Sequence, residues 1–320
     1  MTSLAQVTAL VDAHVRRDYD RFRAVTLAIA ANMASRSERG ADKLRKLVEK
    51  QQALSLTPLP SANGLLSTPS DLSTLDDMVL APEVRERLDR VVLEQSRRMD
   101  LLACGLRPAH KLLFSGVPGT GKTMAAGALS RAIGLPMFRV ELHGVISSHL
   151  GETSAKLAKV FEHVRSMPAV YLFDEFDALS AERSSLGSEA AGAEMRRVVN
   201  SLLSFIEDDR SNSLIIAATN HAQMLDSAIF RRFDETIAFG IPTRDEVAAL
   251  VQRKLGDVEL DVNSIYGAVA NSKLGHADVC VALDRVRKDH VLVGSPIDTE
   301  HIVTALVQRT RVVDRVEVFS

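Results

Sequence analysis

The chain has 320 residues, 46% hydrophobic and 25% charged, a balance that excludes a largely disordered protein and favours a core in one or two domains. Its formal net charge of −2 excludes the overall basic excess of a dedicated DNA or RNA coat, while a local basic patch stays open. Cys104 and Cys280 have no partner at a metal-binding or disulfide-typical spacing. We therefore expect two buried free thiols in a reducing cytosol.

The N-terminal part of the chain is predicted to be helical. Residues 4–53 carry apolar residues at helical spacing among charges, which predicts a helical region over residues 1–54. Its mildly basic helices either recruit a partner or form a solvated face. The apolar run over residues 24–34 has about half the length that a bilayer requires. We therefore expect no membrane span, no secretory signal and a cytoplasmic protein.

Two further domains are predicted beyond a linker. Residues 55–75 are rich in Ser, Thr, Pro and Gly, which indicates the linker. Over residues 76–242, short apolar runs alternate with amphipathic helices, which predicts an α/β domain with a doubly wound parallel sheet covered on both faces. Over residues 243–320 the strand signals fade and helical stretches follow one another, so we expect a small all-helical domain.

A phosphate-binding loop is predicted where the sequence reads GVPGTGKT, because G-x-x-x-x-G-K-[ST] lies between an apolar strand and a helix. Its glycines allow backbone N–H groups to point at phosphate oxygens, and the helix N-terminus adds partial positive charge. Lys122 is expected to contact the β- and γ-phosphates, and the Thr123 hydroxyl to bind Mg²⁺. The predicted nucleotide contacts are Gly116, Val117, Pro118, Gly119, Thr120, Gly121, Lys122, Thr123 and Met124.

Two adjacent acids are predicted to complete the reaction site. The segment AVYLFDEFDAL is an apolar strand that ends at Asp174 and Glu175. The carboxyl ends of parallel strands are where open α/β sheets bind ligands. Asp174 would hold the Mg²⁺ shell and Glu175 would polarise the attacking water. Asp177, further along the chain, is expected to be a cap or a surface residue.

Several nucleotide-binding families share such a loop, and two of them are disfavoured. GTPases read guanine through an N-K-x-D stretch, which the sequence lacks, and a small-molecule kinase would not need the C-terminal helical domain. The segments GVPGTGKT, SHLGETSAKLAKVFEHVRSMPAVYLFDEFDAL, IIAATN and LDSAIFRRFDETIAFGIPTRDEVAALVQRKL, in this order and spacing, resemble AAA+ ATPases. The resemblance extends from about residue 76 to residue 289 and is strongest to the protein-remodelling branch that includes katanin, spastin and the AAA proteases.

The resemblance implies a ring of identical subunits, a homohexamer, that hydrolyses ATP with Mg²⁺. Asn220, at the end of the LIIAATN segment, corresponds to the polar sensor that orients the attacking water. Arg231 and Arg232 correspond to the arginine-finger region, which reaches the γ-phosphate of the neighbouring subunit. Because they are adjacent here and separated by Pro-Gly in many relatives, which of the two is the finger stays open. The alternative is that both pair with Asp234 and Glu235.

The C-terminal helices correspond to a lid over the adenine. In LGHADVCVAL, where relatives read S-G-A-D-L, His276 replaces the usual Gly and Ala277 matches. Both are predicted to contact the nucleotide, and no second-sensor arginine is expected there. The Asp77–Leu80 stretch is implied as a further adenine contact.

The segment SSHLGETS corresponds to the central-pore loop of the family. His149 stands where relatives have an aromatic residue that grips a translocating polypeptide, and Leu150 follows it. His149 either grips substrate, with a pH-dependent contact, or is a solvent-facing loop residue.

Two functions are therefore expected as alternatives. The first is a ring ATPase that remodels, unfolds or translocates a protein substrate through its pore. The second is a nucleotide-switched scaffold or loader that recruits a separate effector, such as a protease, a nuclease or nucleic acid. The absence of an H-E-x-x-H protease motif in the sequence implies that any protease is a separate chain, and nucleic acid is the less favoured partner.

Overall fold

The computed structural model describes residues 65–69, 73–142, 152–177 and 189–317, together with Thr8, Val25, Thr26, Ala28 and Ile29. The chain divides into two compact units, Met1–Asn63 and Gly64–Ser320. In the first unit the five described residues are helical. The rest of the predicted N-terminal region lies outside the described residues.

A six-stranded sheet forms the centre of the second unit. Its strands are β1 (Leu66–Ser67), β2 (Lys111–Ser115), β3 (Met137–Val140), β4 (Val170–Phe173), β5 (Leu214–Thr219) and β6 (Glu235–Ala238), in the spatial order β1-β3-β4-β5-β2-β6. Strands β2 to β6 pair in parallel, whereas β1 pairs antiparallel with β3. The predicted α/β class is confirmed, with one antiparallel edge strand added. That strand lies within the interval 55–75, for which the sequence predicts a linker.

Helices follow the strands as the sequence pattern predicts. Before and between the strands lie α1 (Pro82–Ser96), α2 (Arg98–Ala103), α3 (Lys122–Ile133), α4 (Glu152–Ser166), α5 (Glu189–Asp208) and α6 (Ser227–Phe230). Helix α1 starts with Pro82, where a missing N–H has no cost, and buries Val84, Leu88 and Val91 on one face. Helix α3 ends at Ile133 and is followed by the cap residue Gly134, whose left-handed backbone (φ 70°) glycine adopts without strain.

The core lies on both faces of the sheet, because β2, β4 and β5 are buried along their whole length. On one face α1 and α3 cover residues such as Leu112 and Ile216. On the other, Phe161 of α4 stacks on Phe173 and Phe205, with ring centroids 5.7 and 5.1 Å apart. A sheet buried on both faces requires such continuous apolar strands, so the ligand site must lie at a strand end.

The C-terminal helices pack into a second apolar cluster. They are α7 (Arg244–Leu255), α8 (Val262–Asn271), α9 (His276–Val293) and α10 (Thr299–Glu317). Their shared core includes Val247, Leu250, Ile265, Leu283 and Leu306. Helix α7 begins with a capping box, in which the Glu246 carboxylate accepts hydrogen bonds from the Thr243 N–H and hydroxyl at 2.8 and 2.7 Å.

Two expectations about surface and membrane contact can be compared with the structure. No helix within the described ranges combines the length and apolar character that crossing a membrane requires. The two thiols are free, but the prediction that both are buried is wrong, since Cys104 is exposed and Cys280 is half-buried. Cys104 lies at the end of the short helix α2, which buries none of its residues.

Candidate active site

The loop between β2 and α3 has the backbone conformation of a phosphate cradle. Gly116, Gly119 and Gly121 have positive φ angles of 148°, 74° and 96°, in the region that side chains rarely adopt. A Cβ on Gly116 would lie 2.0 Å from the Phe239 carbonyl oxygen, so only glycine fits beside the end of β6. The loop therefore has the geometry that lets backbone N–H groups approach an anion at the N-terminus of α3.

Lys122 lies at the first position of α3 and points back into the loop. Its Nζ donates hydrogen bonds to the carbonyl oxygens of Gly116 and Val117 at 2.7 and 2.9 Å. Burial lowers the pKa of this ammonium group, and the nearby carboxylates of Asp174 and Asp177 oppose that shift. Among the described residues its hydrogen bonds go to carbonyl oxygens, and an added anion would stabilise such a buried ammonium.

Asp174 and Thr123 are brought together at the carboxyl end of β4. The Thr123 hydroxyl donates to Asp174 Oδ2 at 3.0 Å. Magnesium prefers oxygen ligands and is commonly held through one or two protein side chains plus substrate phosphates, so this hydroxyl and carboxylate fit the ion. Arg139 was not predicted here. Its Nη2 lies 3.5 Å from Asp174 Oδ2, because β3 and β4 are neighbouring parallel strands.

Glu175 follows in a strained conformation. Its φ of 52° is unusual for a residue with a side chain, at a cost of about 1–3 kcal/mol. The backbone is held there by the Glu175 N–H, which donates to Asp174 Oδ1 at 3.0 Å, and by the Phe176 N–H, which donates to the Ala218 carbonyl of β5 at 2.8 Å. The exposed Glu175 carboxyl thus sits on a turn fixed from both sides, at the mouth of the site.

Asp177 is buried, so the prediction of a surface residue is wrong, while the residues that it would cap lie outside the described part of the chain. Its Oδ1 accepts a hydrogen bond from the Asn220 backbone N–H at 3.1 Å. Asn220 stands directly after β5, which pairs with β4. Asp177 therefore positions the predicted sensor residue against the Asp174–Glu175 turn. Sequence spacing gave no sign of this contact, since it joins residues 43 positions apart.

The loop, the acids and the C-terminal helices enclose one cavity of about 760 Å³. Its wall contains the polar side chains of Lys122, Thr123, Asp174, Glu175 and Asn220 and the apolar side chains of Met78, Val79, Leu250 and Ala277. This volume and mixed lining match a nucleotide, which has charged phosphates and a flat, largely apolar base. All predicted residues from Pro118 to Met124, as well as His276, lie on the wall.

The helical domain closes this cavity by direct contact with the loop. The Ala277 N–H, in the first turn of α9, donates to the Gly119 carbonyl at 2.9 Å. Arg253 and Lys254 of α7 also line the cavity and were not predicted from the sequence. The Arg253 guanidinium donates to the Asp77 and Asp76 carbonyl oxygens, the latter at 2.9 Å. These contacts tie the lid to the segment that precedes α1.

Arg231 and Arg232 lie away from this cavity. They line a second cavity of about 530 Å³ together with Lys111 and Glu235, the first residues of β2 and β6. That cavity is therefore at the amino ends of the strands, whereas the phosphate loop is at their carboxyl ends. Arg231 is exposed and the Arg232 Nε lies 2.9 Å from Glu207 Oε2.

The alternative pairing of the arginines is not formed in the described part of the chain. Asp234 instead accepts hydrogen bonds from the backbone N–H groups of His110 and Lys111, at 2.9 and 3.0 Å. Glu235 lies 3.5 Å from Arg87 of α1. His149 and Leu150, the predicted pore residues, lie outside the described residues.

Comparison with known proteins agrees with this geometry. The model of the ATPase family associated with various cellular activities (AAA) matches residues 112–241. The AAA family ATPase y4kL of Sinorhizobium fredii is 39% identical over 204 residues, 64% of this chain and 61% of that protein. The peroxisomal ATPase PEX6 of Candida glabrata is 31% identical over 236 residues, 67% of this chain and 23% of PEX6.

A 26S proteasome regulatory subunit homolog of Methanothermobacter marburgensis is 29% identical over 211 residues, 62% of this chain and 55% of that protein. The chain thus spans less than two thirds of the length of each of these relatives. The matched segment, residues 112–241, is thus similar to the ATPase domain of the AAA family.

Proposed function

We propose that this chain is a ring-forming ATPase, working as a homohexamer, that couples Mg-ATP hydrolysis to the remodelling of a protein substrate. One observation carries the proposal. The phosphate loop and its acids lie at the carboxyl ends of the strands, whereas Arg231 and Arg232 lie at the amino ends. A head-to-tail arrangement brings the carboxyl ends of the strands in one copy against the amino ends in its neighbour, and such copies form a ring where the rotation between them closes.

Within one subunit, the proposed roles follow from the contacts. The loop N–H groups and Lys122 hold the phosphates, and Thr123 and Asp174 hold Mg²⁺, which would neutralise charge on the β- and γ-phosphates. Glu175 takes a proton from the attacking water, a role worth about 10² to 10⁴ in rate. Asn220 orients that water, because its side-chain amide can donate and accept hydrogen bonds at once.

The neighbouring subunit would supply Arg231 or Arg232. A guanidinium can make two parallel hydrogen bonds to a phosphate and stabilise the charge that develops during transfer, which is worth about 10³ to 10⁵ in rate in other nucleotide hydrolases. Arg231 is the better placed of the two, since it is exposed while Arg232 is engaged with Glu207. We therefore assign the finger to Arg231.

A mixing experiment tests the shared site. Arg231→Ala/Arg232→Ala and Lys122→Ala proteins should each be inactive alone, since the first lacks the finger and the second lacks the phosphate contact. Random 1:1 mixing in a ring leaves about a quarter of the interfaces with an intact loop on one side and intact arginines on the other. We expect ATPase activity to recover toward that fraction. If the two proteins co-assemble, as judged by co-purification of two different tags, and ATPase activity does not recover, the shared site is ruled out.

The substrate end of the proposal rests on the pore motif and on the relatives' names. In SSHLGETS, His149 and Leu150 correspond by resemblance to residues that grip a polypeptide, and relatives are named as a peroxisomal ATPase and a proteasome regulatory subunit homolog. We propose a protein substrate, with any protease or other effector on a separate chain. The free thiols of Cys104 and Cys280 suit a reducing compartment such as the cytoplasm.

His149→Ala should abolish unfolding of a tagged substrate and leave basal ATPase activity in place. Asp257→Ala, an exposed change between α7 and α8, serves as the control and should leave both activities unchanged. Unfolding at the wild-type rate by His149→Ala would contradict the grip and favour a nucleotide-switched scaffold.

A further inference from the structure

A pair of buried phenyl rings joins two regions to which the proposed function gives separate roles. Phe176 directly follows Glu175 on the turn after β4, and Phe233 directly follows Arg231 and Arg232. The two ring centroids lie 6.3 Å apart, with an angle of 83° between the ring planes, which is an edge-to-face contact. The turn after the carboxyl end of β4 is thus in direct contact with the segment that precedes the amino end of β6.

The backbone that carries Phe176 is held by groups of the candidate active site. The Phe176 N–H donates to the Ala218 carbonyl oxygen of β5 at 2.8 Å. One residue earlier, the Glu175 N–H donates to Asp174 Oδ1 at 3.0 Å, and Glu175 has the unfavourable φ of 52°. Strained backbone of this kind persists only while the surrounding contacts hold it. A nucleotide that engages Asp174 and Glu175 would therefore alter the contacts that position the Phe176 ring.

The backbone that carries Phe233 is bonded to β2 and to α6. Asp234 donates its N–H to the Lys111 carbonyl oxygen at 2.8 Å. The Asp234 Oδ2 accepts the N–H groups of His110 and Lys111 at 2.9 and 3.0 Å. The Phe233 N–H donates to the carbonyl oxygen of Phe230, the last residue of α6, at 3.3 Å. Because Phe233 and the two arginines before it are consecutive in this short segment, we expect a displaced Phe233 ring to displace the arginines as well.

We propose that the contact between Phe176 and Phe233 positions the arginines of a subunit according to the nucleotide state of that same subunit. This inference rests on the proposed function, because it assumes that the arginines act on the nucleotide of the neighbouring subunit. ATP in one subunit then sets the rate of hydrolysis in the next. An aromatic pair is worth a factor of about 2 to 12 beyond the area that it buries. The contact cannot transmit more than its own strength, so that factor bounds the effect.

Mixed rings of two full-length proteins isolate this effect. The reporter protein, Arg231→Ala/Arg232→Ala, keeps its nucleotide site and depends on its neighbour for arginines. The helper protein has intact arginines and does not hydrolyse ATP itself. It is used in two forms, a loaded helper with Glu175→Gln, which we expect to hold ATP, and an empty helper with Lys122→Ala. The measured quantity is the ratio of the ATPase rates that the loaded and the empty helper support in 1:1 mixtures with the reporter.

We expect this ratio to depart from 1 by a factor of about 2 to 12. Phe233→Leu in both helpers should bring it within about 1.5-fold of 1, because leucine keeps an apolar group but loses the edge-to-face contact. Phe176→Leu should do the same from the other side of the contact. Phe138→Leu is the matched control and should leave the ratio unchanged, since Phe138 is a buried ring that packs on His163 and Tyr171.

The outcomes separate this inference from the proposed function. If neither helper restores ATPase activity to the reporter although the two tags co-purify, the arginines do not act across subunits, and the proposed function fails together with the inference. If both helpers support equal rates, or if the ratio survives both leucine substitutions at the contact, the shared site stands and the role of Phe176 and Phe233 is refuted. Loss of the ratio in Phe138→Leu refutes it too, because any loosened core would then suffice. If one leucine variant at the contact does not fold, judged by circular dichroism, the other decides.

Discussion

Gly275 lies where the lid contacts the phosphate loop, at a position with no room for a side chain. Gly275 precedes α9 with φ −80° and ψ 171°, a conformation open to any residue. A Cβ there would lie 2.7 Å from the Pro118 carbonyl oxygen and 2.8 and 2.9 Å from the carbonyl carbon and oxygen of Gly119. These are backbone atoms, which cannot rotate aside as a flexible side chain can, so we expect the start of α9 to move away from the loop.

The size of the effect of Gly275→Ala follows from two opposing contributions. Alanine restricts the unfolded chain, which alone would stabilise the protein by about 0.4–1 kcal/mol. Overpacking against fixed backbone commonly costs about 1–3 kcal/mol. We expect a net loss of about 1–2 kcal/mol in the free energy of unfolding. The displaced helix should also weaken the Ala277 to Gly119 hydrogen bond and lower ATP affinity.

Urea unfolding and nucleotide titration of Gly275→Ala measure both effects. Gly267→Ala is the matched control, since Gly267 lies inside α8 and a Cβ there meets nothing within 4 Å. That control should gain about 0.5–1 kcal/mol, because glycine disfavours a helix interior. A Gly275→Ala protein as stable as wild type, with unchanged ATP affinity, would show that α9 does not pack tightly on the loop.

Three further predictions concern single side chains. Burial opposes ionisation of Asp234, but hydrogen bonds from the neighbouring imidazole and backbone lower its pKa below 3.8. Its stabilising contribution, measured as the difference in unfolding free energy from Asp234→Asn, should be complete above about pH 5 and shrink as the pH falls below about 4. Asp177→Ala should reduce kcat about tenfold with little change in KM for ATP, since the Asn220 N–H loses its acceptor at a cost of about 1–3 kcal/mol; an equal rise in KM would contradict this. Cys104 should react with a thiol reagent faster than Cys280, whose pKa is raised by burial. ATP should protect Cys280 alone, because Cys280 lines the cavity, and mass spectrometry of the labelled peptides measures both effects.

Contiguous features of the site could be predicted from the sequence. The phosphate loop and the Asp174–Glu175 pair each lie within a few residues, and each directly follows a strand whose apolar run is visible in the sequence. The α/β class was predictable for the same reason, because a sheet buried on both faces needs unbroken apolar strands.

Features that depend on long-range contacts could not be predicted. Strand β1 has two residues, too few for any periodicity, and exists because Leu66 and Ser67 pair with Val140 and Arg139. Asp177 resembles a solvated turn acid in sequence. In the structure it contacts the backbone N–H of Asn220, which follows β5 and is distant in the chain. The position of Arg139 could not be predicted either, because its ion pair with Asp174 requires the parallel register of β3 and β4.

In the proposed function, this domain hydrolyses ATP through Glu175, which lies on the turn after β4. The most direct measurement is single-turnover hydrolysis of bound ATP by Glu175→Gln beside the wild type, with bound nucleotide identified after rapid gel filtration. Glutamine keeps the size of the side chain but cannot take a proton from water, so we expect ATP to stay bound and uncleaved in an oligomer, with the rate about 10² to 10⁴ lower. Cleavage at the wild-type rate would show that Glu175 does not take the proton from water.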